Sequence, residues 1–143
     1  MNYDKLKLDR QLCFPLYVTS KELIKNYKPL LDPLGITYTQ YITFMALWEE
    51  DNITVKELGQ KLYLDSGTLT PLLKKMELQG FITRERSTTD ERTVYIKLTV
   101  KGLELRDKAA HIPDKMVACL PVSMEEALAL QKLLQNYLKN MEH

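Results

Sequence analysis

The residues with the most distinctive chemistry are two thiols and a run of short hydroxyls followed by arginines. Cys13 and Cys119 are the only cysteines in 143 residues. They lie too far apart for a CxxC zinc or redox motif, so no metal is expected. A thiol can still be oxidised, its thiolate being the reactive form. Taken alone, Cys13 between Leu12 and Phe14 reads as a buried packing residue, because a free cysteine behaves as a small hydrophobe. Cys119 reads the same way.

The second group is Ser66, Thr68, Thr70, Lys74 and Lys75, followed by Arg84, Arg86, Asp90 and Arg92. Hydroxyls beside cations suit a DNA groove, where short polar side chains reach base edges and cations meet phosphates. On one helix this would also describe an ordinary solvated face. The charge distribution favours DNA: residues 66 to 101 hold seven Lys/Arg against four acids, although the whole chain carries only +1. Arg92, near Arg84 and Arg86, is placed to enter a minor groove. Asp90 is expected to hold Arg92 or Arg86, and a simple salt bridge is the plain alternative.

The elements that must position these groups follow from spacing. Leu12, Leu16, Leu23, Tyr27, Leu30 and Leu31 recur at near-helical intervals, predicting a first helix from about Asp9 to Leu31. Pro15 would break a helix already under way, so a later start with Cys13 in the first turn is the better reading. Thr37 or Thr39 caps a second helix to about Glu50, with Tyr41, Phe44, Met45 and Trp48 inward. Thr54 and Glu57 have capping-box spacing before a short helix over 55–62. After a turn, Leu69, Leu72, Leu73 and Met76 mark the inner face of a helix from about Ser66 to Gln79, stopped by Gly80. Two helices joined in this way make a helix-turn-helix. Phe81–Arg86 and Thr93–Leu98 alternate apolar and polar residues around a polar tip, which predicts a β-hairpin wing. Thr99 then caps a long helix towards Ala118. Ser123 with Glu126 opens a last helix carrying Leu130, Leu133, Leu134, Tyr137, Leu138 and Met141.

These terminal helices hold more apolar surface than one small DNA-reading core needs, so they read as a dimerisation layer. The expected class is therefore mainly α with a small β-hairpin wing. Residues 1–143 form one domain in this reading, with dimerisation helices at about 8–31 and 99–142 and the winged helix-turn-helix at about 38–98. Apolar content of 45% and charged content of 27% fit a globular chain. Without a span of about 20 apolar residues or a leader-like start, it is expected in the cytoplasm, away from membranes.

The chain resembles the MarR-type winged-helix regulators, and within them the organic hydroperoxide resistance repressors (OhrR type). The matching stretches are Gln11-Leu12-Cys13-Phe14 with Leu16-Tyr17, Tyr27-Lys28-Pro29-Leu30-Leu31-Asp32, Leu34-Gly35-Ile36-Thr37-Tyr38-Thr39-Gln40-Tyr41, residues 62–74 and Asp90-Glu91-Arg92. The resemblance implies that Cys13 senses peroxide. It further implies that Tyr27 and Tyr38 hydrogen-bond the sensing sulfur across a dimer, with Tyr17 a further match. Members with a second cysteine near Cys119 form an intersubunit disulfide, whereas single-cysteine members use a small cellular thiol.

The function expected from these readings is a homodimeric repressor of a palindromic operator, released when an organic hydroperoxide oxidises Cys13, with no cofactor. Alternatives are a regulator released by a phenolic or aromatic ligand, and a broader thiol-based regulator of stress or virulence genes. A sequence-blind architectural DNA binder is a third. A thiol peroxidase is disfavoured: no Arg or Thr is placed to polarise a peroxide at Cys13, and a basic wing would serve it no purpose.

Overall fold

The computed structural model describes Met1–Glu142 and gathers the chain into two compact units, Met1–Ala110 and His111–His143. In the first unit, 3₁₀ turns at Asp4–Leu6 and Leu8–Arg10 precede helix α1, Cys13–Leu31. The Gln11 side-chain amide secures these turns by donating to the Lys5 and Lys7 carbonyls at 2.8 and 2.7 Å. The helix starts at Cys13, four residues later than Asp9, which places Pro15 in the first turn, where its missing N–H has no helical partner.

A 3₁₀ turn at Asp32–Leu34 ends with Gly35 in the left-handed region, φ 70°, and leads to α2, Tyr38–Glu49. Thr37 caps α2 in a complete capping box with Gln40. Tyr41, Phe44, Ala46 and Leu47 are buried, Trp48 half-buried and Met45 exposed, so the inward placement expected for Met45 is corrected. Ala46 and Leu47 take the core-facing positions instead, because α2 is wrapped on more than one side.

Helices α3, Val55–Leu62, and α4, Ser66–Leu78, form the helix-turn-helix. Thr54 accepts the Glu57 N–H and Asp65 the Thr68 N–H as their caps. The wing strands are β2, Ile82–Arg86, and β3, Val94–Leu98, in register Arg84 to Ile96. A third strand, β1 at Ile53–Thr54, pairs antiparallel with β3, giving the order β1-β3-β2. The chain is a mainly α, winged helix-turn-helix protein.

Thr99 caps α5, Val100–Ala109, where Gly102 touches the wing so closely that a Cβ would stand 2.4 Å from the Phe81 carbonyl oxygen. The Trp48 indole N–H donates to the Gly102 carbonyl at 3.0 Å. Alanine usually stabilises a helix relative to glycine. Here Gly102→Ala is expected to lower stability by about 1–3 kcal/mol, as overpacking does. Urea unfolding checks this, and an unchanged midpoint contradicts it.

The helix expected to run from Thr99 towards Ala118 is instead two, α5 and α6, Ile112–Ala118, the latter in the second unit. Pro113 is the reason: it has no N–H for the Ala109 carbonyl, and it sits acceptably near the start of a new helix. Ser123 and Glu126 form a complete capping box before α7, Met124–Met141. No α7 residue is buried; Leu128, Leu133 and Tyr137 are each more than half exposed. Leu12, Phe14, Leu16 and Tyr17 of the N-terminal region are exposed too. No helix among the described residues is long and apolar enough to cross a membrane.

Candidate nucleic-acid interface and thiol site

Helix α4 is anchored by Leu69, Leu73 and Met76, all buried, with Leu72 half-buried. At about 100° per residue the opposite meridian carries Gly67, Pro71, Lys74 and Leu78. Ser66 and Thr68 are exposed in the first turn, Lys74 and Lys75 further along, and Thr70 is half-buried on the flank. The outermost strip is therefore barer than the hydroxyl-rich face expected from sequence. Pro71 lacks an N–H for the Gly67 carbonyl, and a Cβ on Gly67 would meet only Asp65 Oδ1 at 3.6 Å. Glycine at this position is not required by packing. Hydrogen bonds from Thr68, its backbone amide foremost and its hydroxyl second, hold the Asp65 carboxyl below its ordinary pKa.

A cleft of about 650 Å³ separates α4 from the wing, and Lys56, Thr70, Lys74, Arg84, Arg86 and Arg92 line it. Among these, Arg84 is already engaged. Its backbone N–H donates to Glu77 Oε2 at 3.2 Å, and its guanidinium Nε and NH2 reach Glu77 Oε1 at 3.2 and 3.1 Å. Arg84 occupies an inward position of β2, so a charge there needs a partner and clamps the wing to α4. Arg86 donates to the Glu91 carbonyl at 2.8 Å. Asp90 Oδ1 accepts the Arg92 backbone N–H at 3.0 Å, and Oδ2 lies 3.5 Å from the Thr93 hydroxyl. The carboxylate thus shapes the loop and holds Arg92 through its backbone, while among the described residues it forms no ion pair with either guanidinium, so the plain salt-bridge alternative is not what the structure shows. The Arg92 side chain is exposed and has no ion pair among the described residues. Lys56, at the second position of α3, was missed by sequence reasoning; its only signal was a cation just inside a predicted helix start.

Cys13 is the first residue of α1 and is exposed, as is Cys119 at the end of α6, so neither packs into the core of its own chain as its neighbours suggested. Tyr17 stands one turn beyond Cys13, with the Lys21 ammonium 5.7 Å from its ring centre. Arg10, three residues before Cys13, pairs with Asp4 at 3.3 Å. At the other end of α1, Tyr27 packs against Tyr38 and Tyr41 with ring centres 4.9 and 5.7 Å apart. Tyr41, one turn after Tyr38 on α2, is the member of this trio that the sequence reading left out of the site. A rise of about 1.5 Å per residue places Cys13 about 21 Å along the helix from Tyr27. Within one chain the thiol and the trio do not meet.

Burial first, then the neighbouring phenols, raises the pKa of Tyr27 above the ordinary value of 10.0; burial also raises those of Tyr38 and Tyr41. All three therefore stay neutral O–H donors at physiological pH. A folded-state pKa above the unfolded value means that the native state holds more protons at alkaline pH, so stability falls as pH rises past about 10. Tyr38→Phe is expected to flatten that fall in denaturation curves across pH 9–12; a slope identical to wild type contradicts the assignment.

Together, a helix-turn-helix, a three-stranded wing and a cation-lined cleft between them define a winged helix-turn-helix protein. The family model described as transcriptional regulator SarA/Rot matches residues 25–109. An organic hydroperoxide resistance transcriptional regulator of Bacillus subtilis (strain 168) is 50% identical over 139 residues, covering 97% of this chain and 95% of its own. The regulator SarZ of Staphylococcus saprophyticus is 44% identical over 130 residues, covering 91% and 89%. Among solved structures, reduced AbfR bound to DNA superposes with a TM-score of 0.79 at 34% identity, covering 97% and 96% of the two chains. AbfR, from Staphylococcus epidermidis, is also known in a disulfide-formed state, TM-score 0.67 over the same shares at the same identity. The chain belongs to the SarA/Rot family of transcriptional regulators, of MarR-like winged-helix type, and its relatives are regulators rather than enzymes.

Proposed function

We propose that this protein is a dimeric repressor that binds a palindromic operator when reduced and leaves it when an organic hydroperoxide oxidises Cys13. The observation that carries the reading is Cys13 itself: exposed, first in its helix, and in a chain half identical to a hydroperoxide resistance regulator. The thiolate sulfur attacks one peroxide oxygen, the O–O bond breaks, and the alkoxide takes a proton and leaves as the alcohol. Sulfur is oxidised by two electrons to a sulfenic acid, and the peroxide is reduced. Condensation with the Cys119 thiol then forms an intersubunit disulfide and releases water. The AbfR disulfide state supports this second step.

One dimer-forming domain accounts for the exposed apolar residues of α1 and α7. Because Cys13 lies far from Tyr27 and Tyr38 of its own chain, Tyr27 and Tyr38 of the second copy serve as donors to the sulfur in this reading, with Tyr17 of its own chain one turn away. In DNA, the first turn of α4 lies in the major groove, Lys74, Lys75 and Lys56 meet phosphates, Asp90 presents Arg92, and Arg92 enters the minor groove. Arg86 supports the wing loop, and Arg84 fixes the wing to α4.

The test is selection of duplex DNA from a random library, followed by hydroperoxide titration of the complex. A twofold-symmetric site bound roughly a thousandfold more tightly than random DNA is expected, with one equivalent of peroxide consumed per Cys13. Equal binding to all duplexes, or catalytic turnover with a thiol reductant, contradicts the proposal.

A further inference from the structure

We infer that Gln40 and Gln79 are the positioning residues that link the tyrosine cluster to the DNA-reading helix. The inference rests on the redox reading above and adds the route by which the sensor region sets the pose of α4. Gln40 is a polar residue at a core position of α2, only 1% exposed. Burying an amide is unfavourable unless it is hydrogen-bonded, and this one bonds in two directions. Its Oε1 accepts the Thr37 N–H at 3.1 Å, closing the first turn of α2, and its Nε2 donates to Gln79 Oε1 at 2.8 Å. That same first turn carries Tyr38, whose ring packs on Tyr27 and Tyr41.

Gln79 is the C-cap of α4, so the amide pair joins the tyrosine-bearing turn directly to the end of the helix whose beginning would read DNA. Gln79 Nε2 donates to the Gly35 carbonyl at 3.3 Å, and the Gln79 carbonyl accepts Lys101 Nζ at 2.6 Å. The C-terminal end of α4 is thus held by α2, by the turn before it and by α5. Thirteen residues of α4 span about 20 Å. A tilt of about 5° at the Gln79 end moves the Ser66 end by about 1.7 Å, more than the width of the hydrogen-bond distance range. A small displacement of the Tyr38 turn is therefore sufficient to spoil base contacts made by Ser66 and Thr68.

The experiment compares operator affinity of the full-length protein before and after one equivalent of cumene hydroperoxide, using a duplex enriched from the random library. Wild type is expected to lose roughly 5- to 150-fold, the usual span of allosteric coupling. Gln79→Met removes both side-chain bonds while preserving volume, and its ratio is expected to fall to about twofold or less, with the rate of Cys13 oxidation unchanged. Gln79→Glu keeps an acceptor for Gln40 Nε2 and is expected to retain most of the ratio. If Gln79→Met weakens both redox states equally and leaves the ratio intact, the residue is merely structural and the inference is overturned. If wild type itself shows no ratio, the redox reading fails and the inference with it, a result visible in the wild-type arm alone.

Discussion

Cys13→Ser is expected to bind operator like the reduced wild type and to remain bound after hydroperoxide treatment, under conditions in which wild type loses roughly 5- to 150-fold in affinity. Serine conserves the shape of an exposed helix start, so the fold and the distant α4 surface have no reason to change. The hydroxyl has no accessible anion at neutral pH and no filled orbital comparable to sulfur's, so the O–O bond is not attacked. Mobility-shift titrations on both proteins decide the matter. Release of the serine variant by peroxide would move the sensor away from Cys13. Cys119→Ser, beside it, separates the disulfide route from capping by a small thiol: in the first case release is lost or delayed, in the second it persists only when a small thiol is supplied.

Arg92→Ala is expected to weaken operator binding by about 1–3 kcal/mol without shifting the melting temperature. Its guanidinium lies beside the cleft, while Asp90 holds only its backbone. Arg84→Ala should behave differently. That side chain is engaged by Glu77, so removing it loosens the wing from α4 and lowers stability by up to about 1 kcal/mol. Paired melting and binding curves distinguish the two arginines. If Arg92→Ala also lowers the melting temperature, it is a structural residue of the loop. If it leaves affinity unchanged, the wing does not enter a groove.

These contrasts show where sequence patterns carry information. Elements announced by local chemistry were legible: Thr37, Thr54, Thr99 and Ser123 all cap helices, and Gly80 at φ 83° follows the end of α4. The wing strands were legible because alternation over five residues reports a two-sided environment. Strand β1 was not, since two residues have no period and pair only through contact with β3, about forty residues away in sequence. Pro113 was visible, but whether a proline bends a helix or ends it depends on packing.

The site was legible as a set of residue types and less so as geometry. Sequence placed Cys13 at a helix start and the arginines on a wing. It could not show that Arg84 pairs with Glu77, that Asp90 bonds backbone rather than guanidinium, or that Tyr41 completes the aromatic trio. Each of these depends on a distance between elements rather than on spacing within one.

The most direct test is the operator affinity of the wild-type protein, measured by fluorescence anisotropy before and after one equivalent of an organic hydroperoxide and again after reduction with dithiothreitol. The predicted result is tight binding, loss on oxidation and full recovery on reduction. Binding that is unchanged by the oxidant, with Cys13 shown by mass spectrometry to be oxidised, would contradict it.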